Sequence, residues 1–246
     1  MRKLLALVHR ELLAYFSSPL AYVVLTAFLF INGYVFYLIV AYLNDPRTQA
    51  MAPLKLIFGG TIFFWLFLLF VVPVITMRLL AEERRTGTLE VLLTSPVSEG
   101  QVVIGKFLAS LVFYLFLWAP TLVYVAILAS HAKIDYGPVV SGYLGIALLG
   151  MMFLSIGLLT SALVRNQIIA AILAFAVLVV VFSLGLVENL VTGSAFKGLL
   201  GYMNLWNTMD DFARGIVDTR HVVYPASLAG LFLFLATKAL EASKGR

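Results

Sequence analysis

The sequence predicts an all-α integral membrane protein with six transmembrane helices, and three observations support this prediction. First, 62% of the 246 residues are hydrophobic and only 12% are charged, whereas soluble domains are about 25% charged. Second, the charged residues are confined to short segments that separate long uncharged runs. Third, these runs have the length that a helix needs to cross a bilayer, about 20 residues. A membrane is therefore the natural solvent for most of the chain.

Residues 1–18, MRKLLALVHRELLAYFSS, are predicted to form an amphipathic helix at the membrane surface. At helical spacing, apolar side chains gather on one side of this segment and basic side chains on the other. The polar residues His9, Arg10 and Glu11 interrupt the apolar run and argue against a signal peptide. The chain then turns at Pro19 and enters the membrane. The alternative is that this segment simply extends the first span.

Residues 19–246 are predicted to form the six-span membrane domain, in which the sixth span is the shortest. This span contains Pro225, and the flexible side chain of Lys238 must reach back to the surface. Pro73 and Pro120 lie inside spans, where each removes a backbone donor and is expected to bend its helix. The predicted spans are about 20–43, 56–80, 101–130, 138–164, 167–187 and 219–240.

Two spans carry features that predict contacts between helices. Asn32 is the most polar residue deep inside a span, and we expect it to bond to a neighbouring helix. The fourth span is rich in small residues, which allow helices to approach closely in a membrane. These small residues are Gly142, Gly145, Gly150, Ser155, Gly157 and Ser161.

The distribution of basic residues predicts the orientation. An even number of spans places both termini on one side, and 11 of the 17 Lys and Arg residues fall on that side. Because basic residues are enriched in cytoplasmic loops, both termini are predicted to be cytoplasmic. The outer segment at 188–217 is too apolar for a flexible linker. It is predicted to form short re-entrant or interfacial helices at the outer leaflet.

The sequence contains no recognisable catalytic or metal site. Residues 100–107, GQVVIGKF, begin like a P-loop, but Phe107 occupies the position where Ser or Thr must bind magnesium. Motifs of zinc proteases and serine hydrolases are absent, and no acidic residue lies in mid-span. Cysteine is absent, and the net charge of +5 forms no dense basic face for nucleic acid. If the protein moves anything uphill, the energy must therefore come from another chain.

The segment LAEERRTGTLEVLLTSP, from Leu80 to Pro96, is unusually polar for this chain. Its first part extends the second span beyond the membrane, and Gly87 permits a sharp reversal because glycine accepts a positive φ. Leucines at helical spacing follow, and Ser98 with Gln101 forms a predicted capping box for the third span. The loop at 82–97 is thus predicted to contain a short helix held by two spans. The alternative is a tight hairpin with a solvated face.

The pattern E-x-x-x-G-T-L-E-x-L-L-x-x-P at Glu83–Pro96 resembles the cytoplasmic loop of ABC-2 type permeases, the type-2 ABC exporters. The order of the predicted elements resembles this family over nearly the whole chain. In the family, the loop forms a coupling helix that docks on a separate nucleotide-binding subunit, and the N-terminal helix flanks that subunit. The segments at 11–37 and 203–224 are similar to the gliding-motility-associated branch.

The resemblance implies a partner interface rather than a catalytic site. The residues that match it by position are Glu82, Glu83, Arg84, Arg85, Gly87, Thr88, Leu89, Glu90 and Leu93 in the loop, with Arg10, Glu11 and Arg165 on the same side. ATP and magnesium are expected on the partner ATPase, and no cofactor on this chain. No substrate residue can be transferred from the family.

The resemblance also implies a cellular setting. We expect a multi-pass protein of the cytoplasmic (inner) membrane of a prokaryote, in contact with lipid and paired with a second copy or a related permease. A periplasmic or accessory protein is a further partner that the family admits. The alternative function is a non-transporting scaffold or a subunit that transmits mechanical work in cell-envelope machinery. A passive channel is disfavoured because no polar face recurs along several spans, and a membrane enzyme because catalytic residues are missing.

Overall fold

The computed structural model describes residues 2–45, 53–88, 98–131, 133–190, 198 and 200–244. Throughout these residues the regular structure is helical, and six helical segments are long and apolar enough to cross a membrane. The predicted all-α fold with six spans is therefore confirmed. The six spans are Pro19–Leu43, Pro53–Thr86, Glu99–His131, Tyr136–Leu163, Gln167–Leu186 and Thr219–Ala242.

The α-helices that form and connect the spans are numbered in chain order. They are α1 (Arg2–Phe16), α2 (Pro19–Leu43), α3 (Pro53–Ile57), α4 (Ile62–Thr76), α5 (Ala81–Thr86), α6 (Glu99–Trp118), α7 (Leu122–His131), α8 (Tyr136–Leu163), α9 (Gln167–Leu186), α10 (Leu205–Ala213) and α11 (Thr219–Lys244). Short 3-10 helices occupy Ala119–Thr121 and Val187–Leu190. We call the end of the bundle that carries α1, α5 and the last turns of α11 the inner end, and the opposite end the outer end.

The second span is interrupted near its outer end, whereas the sequence suggested one helix over 56–80. The chain leaves α3, turns at Gly59 with a φ of 89°, and re-enters helix at α4. The amide of Gly60 donates to the Lys55 carbonyl at 2.9 Å, and the Trp65 indole donates to the Gly59 carbonyl at 3.0 Å. A Cβ at Gly59 would lie 2.9 Å from the Met209 side chain, so both the backbone angle and the close approach require glycine.

The two prolines inside spans act differently. Pro120 lies in the 3-10 turn that separates α6 from α7, so the α-helix of the third span is interrupted there. The helix α4 instead continues through Pro73 to Thr76.

Asn32 was expected to bond to a neighbouring helix, but its side-chain amide donates to the Phe28 carbonyl of its own helix at 3.0 Å.

The fourth span, α8, is the central helix of the bundle and is buried along most of its length. Its glycines leave notches that side chains of other elements fill, as a Cβ at each notch would lie less than 3.0 Å from the neighbouring side chain. The predicted close approach of helices at these small residues is therefore confirmed. The pairs, each a glycine with the side chain that covers it, are Gly142 with Phe58, Gly145 with Phe212, Gly150 with Tyr114 and Gly157 with Thr76.

The outer end is organised around α10. The ammonium of Lys55 pairs with the Asp210 carboxylate at 2.7 Å, which ties α3 to α10. The hydroxyl of Ser141 donates to the Phe212 carbonyl at 2.6 Å and ties α10 to the fourth span. Glu188, at the end of the fifth span, accepts from the Asn204 side chain at 2.9 Å. One short helix of the outer segment thus contacts the outer ends of the second, fourth and fifth spans.

Candidate functional site

The helix α5 extends the second span at the inner end and is held there by the fourth span. The Ser161 hydroxyl accepts the backbone amides of Leu80 at 3.0 Å and Ala81 at 3.1 Å, and it donates to the Met77 carbonyl at 3.2 Å. These amides belong to the first turn of α5, whose donors have no partner within the helix. One side chain of the fourth span therefore fixes where α5 begins.

A second contact joins α5 to the sixth span. The Arg84 guanidinium donates to the Ala239 carbonyl of α11 at 3.3 Å. Arg165, in the loop between the fourth and fifth spans, lies near enough for its positive charge to oppose that of Arg84. The structure thus brings these two predicted site residues to the same part of the inner end.

A third contact is a buried ion cluster that joins α1, α5 and α6. The Lys106 ammonium lies 2.9 Å from Glu83 Oε1 and 3.1 Å from Glu11 Oε2. Arg10 pairs with Glu11 at 2.6 Å and reaches Glu83 Oε1 at 3.6 Å. The Lys106 residue is 1% exposed. Two carboxylates and two cations make the cluster neutral in sum, which a buried group of charges requires.

The helix α1 packs on the third span through a line of residues one turn apart. A Cβ at Gly105 would lie 2.5 Å from Leu7, so this glycine is what allows α1 to approach. The ring of Tyr15 stacks on Phe113 with 4.8 Å between centroids, and its hydroxyl donates to the Ile75 carbonyl at 2.9 Å. The buried face of α1 therefore differs from the apolar stripe expected to face the membrane, because it includes Glu11 in the ion cluster.

The end of α5 has the geometry that the sequence predicts. Gly87 has a φ of 73°, the left-handed conformation that closes a helix. Apart from its chain neighbours, no residue that the structure describes has an atom within 4 Å of a Cβ built on it. The capping box of the third span is also confirmed: the Gln101 amide donates to the Ser98 hydroxyl, and the Ser98 amide donates to the Gln101 side chain, both at 3.3 Å. Arg85 and Thr88 remain exposed beside this turn.

The predicted site residues thus divide into three groups. Glu11, Glu83 and Arg84 turn inward and make contacts within the chain. Exposed or half-exposed residues form the polar surface of the inner end: Glu82, Arg85, Gly87, Thr88, Arg10 and Arg165. Leu89, Glu90 and Leu93 of the predicted coupling helix lie outside the described residues.

Sequence reasoning missed Lys106 as part of this site. Lys106 belongs to the incomplete P-loop pattern. In the sequence it contributes only to the excess of basic residues on the inner side. One feature of the sequence could have indicated its role. Lys106 lies in the first turns of a span directly after a glycine, and a glycine allows another helix to pack closely there. Its acidic partners lie 23 and 95 residues away in sequence, and no local pattern reveals such pairings.

An open cleft of about 1000 Å³ lies between α1 and the inner end of the second span. Arg78 and Glu82 line it, together with the ion cluster, and Thr88 lies at its edge. Neither Arg78 nor Glu82 forms an ion pair with another residue that the structure describes. The polar surface at the inner end therefore continues into a recess that another chain can reach.

The described residues contain no group of three or more His, Cys, Asp or Glu side chains placed to hold a metal ion. At the outer end, His221 Nδ1 lies 3.5 Å from the Asp211 carboxylate, and Asp210 pairs with Lys55 and Arg214. Asp210 is thus engaged by two cationic side chains.

Comparison with known protein families identifies one match. The family described as "ABC-2 family transporter protein" matches residues 42–196, which is more than half of the chain. The matched region runs from the end of the first span through the fifth, and it includes α5, Glu83 and Lys106. No curated protein matches the chain. On the strength of the family match and the six membrane spans, the chain belongs to the ABC-2 family of transporter membrane proteins.

Proposed function

We propose that this chain is the permease subunit of an ATP-binding cassette transporter in the cytoplasmic membrane of a prokaryote, with its inner end in the cytoplasm. It moves a substrate across the membrane with energy from ATP that a separate subunit hydrolyses. The observation that carries this proposal is the position of α5. This charged helix continues the second span, is held on three sides by other spans, and presents its remaining polar surface outward.

The contacts of α5 make it suitable for receiving a force. Ser161, Arg84 and Lys106 connect it to the fourth, sixth and third spans. A partner that binds its exposed side, at Glu82 and Arg85, therefore acts on a group of helices rather than on a loose loop. A docked ATPase can drive such a change only if it binds one arrangement of the spans more tightly than another.

Family membership implies association with an ABC ATPase and dimerisation in general. We propose that ATP and magnesium bind to that partner. The incomplete P-loop of this chain supports the assignment, because its Gly105 accommodates Leu7 and its Lys106 is buried between two carboxylates. Neither residue presents the exposed backbone loop and lysine that cradle nucleotide phosphates.

In the proposed assembly two permease subunits, identical or related, pair within the membrane and bind two ATPase subunits. The predicted interface consists of α5, the loop to residue 97, exposed Arg10 of α1, and Arg165. We propose that the outer helix α10 closes the outer end, a role that its contacts with three spans there support. The narrower resemblance to the gliding-motility-associated branch stays a prediction, which the family match does not support.

The proposal is tested by purifying the tagged permease from its native membrane and measuring the ATPase that accompanies it. Mass spectrometry identifies co-purifying nucleotide-binding subunits, and ATP hydrolysis is assayed after reconstitution in lipid. We expect the double variant Glu82→Lys/Arg85→Glu to retain about tenfold less ATPase, since reversed charges at an interface cost at least 1.4 kcal/mol, a tenfold change in affinity.

The matched control is Lys238→Glu, which reverses a charge at the same end of the bundle. Lys238 is exposed and contacts only residues of its own helix among those described, Glu241 as an ion pair and the Phe234 ring, so the ATPase should stay bound. Equal amounts of permease in the membrane show that insertion is unaffected. An intact permease that carries no nucleotide-binding subunit, or one that retains it fully in the double variant, would refute the proposal.

A further inference from the structure

We propose that Lys106 is a positioning residue that locks α1 and α5 onto the third span, so that these three elements move as one unit. It acts on the ATPase and on the substrate only through the helices that it joins. The inference deepens the proposed function, because it identifies which spans a force applied at the inner end reaches. The joint movement of α1, α5 and α6 can be measured in the absence of the ATPase subunit.

The geometry makes Lys106 the common member of the ion cluster. Its ammonium contacts carboxylates from two different helices, at 2.9 Å to Glu83 of α5 and at 3.1 Å to Glu11 of α1. The lysine itself belongs to α6, the first helix of the third span. Its side chain is 2% exposed, whereas the Arg10 side chain that completes the cluster is 54% exposed. Arg10 is thus screened by water, and the lysine is not.

The helices α1 and α5 depend on the ion cluster to different degrees, because α1 has further packing contacts with the third span. Leu7 fills the notch at Gly105, and Tyr15 stacks on Phe113, so α1 is held on the third span above and below the lysine. The helix α5 makes its link to the third span through Glu83. Loss of the Glu83 contact is therefore expected to free α5 from the third span and shift it relative to α1, while α5 keeps its contacts with the fourth and sixth spans and α1 stays in place.

The cluster is suited to setting position rather than to adding stability. A buried ion pair adds little net stability, because the cost of removing the charges from water offsets their attraction. Removing one partner is nevertheless costly, since it leaves a buried charge without compensation. We therefore expect the main effect of Lys106 to be one defined arrangement of the three helices.

The experiment measures distances between spin labels in the full-length protein in lipid nanodiscs. The chain has no cysteine, so labels attach only at introduced cysteines. The pair His9→Cys and Arg85→Cys reports the α1–α5 distance, and His9→Cys with Ile104→Cys reports the distance from α1 to the third span. All three positions are exposed.

In the otherwise unchanged protein we expect a single narrow distribution of α1–α5 distances. In Lys106→Met we expect this distribution to become broad or to shift. Glu83→Gln should change the α1–α5 distance and leave the distance from α1 to the third span unchanged. Lys238→Met, which removes an exposed lysine at the same end, should change neither. A merely stabilising lysine would lower the melting temperature without this selective displacement of α5.

If Lys106→Met does not fold, the triple variant Glu11→Gln/Glu83→Gln/Lys106→Met is measured, because it leaves no unpaired buried charge. An unchanged α1–α5 distance in the folded lysine variant overturns the inference. That result is distinct from failure of the proposed function, which is the absence of an ATPase from the purified assembly.

Discussion

A small substitution in the fourth span tests the packing that organises the bundle. At Gly150, a Cβ would lie 2.1 Å from Cε1 of Tyr114. The Tyr114 ring is fully buried, and its hydroxyl donates to the Ile146 carbonyl at 3.2 Å, so it has little freedom to move aside. Gly150→Ala should therefore destabilise the fold even though alanine is the stronger helix former.

The expected magnitude combines three contributions. Overpacking a close contact costs about 1–3 kcal/mol, and disturbing the buried hydrogen bond adds about 1 kcal/mol. Alanine returns up to about 1 kcal/mol through helix propensity. The matched control is Gly230→Ala in the sixth span, where, apart from its own helix backbone, no described part of the chain has an atom within 4 Å of the new methyl group. Since both variants gain the same propensity, their difference of about 2–4 kcal/mol isolates the contact with Tyr114.

The assay is reversible unfolding in mixed micelles, followed by fluorescence of the three tryptophans. The free energy of unfolding is compared between Gly150→Ala, Gly230→Ala and the unchanged chain. The double variant Gly150→Ala/Tyr114→Ala should cost less than the two single changes added together, because removing the ring makes room for the methyl group. Equal stability of the two alanine variants would refute the proposed contact between the third and fourth spans.

Three further perturbations address the inner end, the outer end and the orientation. Ser161→Ala removes the acceptor of two buried amides at the start of α5 and should lower the free energy of unfolding by about 1–3 kcal/mol. Lys55→Met breaks the partly exposed pair with Asp210, so the same assay should show a loss of less than about 1 kcal/mol. In intact cells, an impermeant maleimide should label Asp218→Cys and should label Arg85→Cys only after permeabilisation.

Each of these expectations has a contrary result, and Ser161→Ala also has a matched control. Ser227→Ala removes an exposed hydroxyl that bonds within its own helix and should be neutral, so a Ser161→Ala variant of equal stability would contradict the attachment of α5. A loss of several kcal/mol in Lys55→Met would show that this pair is more than a surface contact. Direct labelling of Arg85→Cys in intact cells would reverse the proposed orientation.

Features that depend on local sequence were predictable. The six spans follow from the spacing of charges, since a charged residue in the hydrocarbon core is costly. The capping box at Ser98 and Gln101 and the positive φ of Gly87 depend on the properties of a few adjacent residues, and both were confirmed. The close packing of the fourth span was likewise indicated by its small residues, although its partners were not.

Features that depend on contacts distant in sequence were not predictable from one chain. The pairing of Lys106 with Glu11 and Glu83 requires knowing which face of α1 meets the third span. The interruption of the second span near Gly59 follows from the docking of Met209, which belongs to the outer segment. Asn32 could satisfy its side chain within its own helix, so its polarity alone did not specify an interhelical bond.

The glycine notches of the fourth span restrict how the transporter can change shape. Rotation of α8 about its own axis by one residue would carry larger side chains against Phe58, Tyr114 and Phe212 at three depths of the membrane at once. These simultaneous steric clashes oppose rotation of α8 about its own axis, so α8 keeps its orientation relative to the helices around it. Conformational change is therefore expected from movement of the other spans relative to the fourth, which serves as the stationary reference.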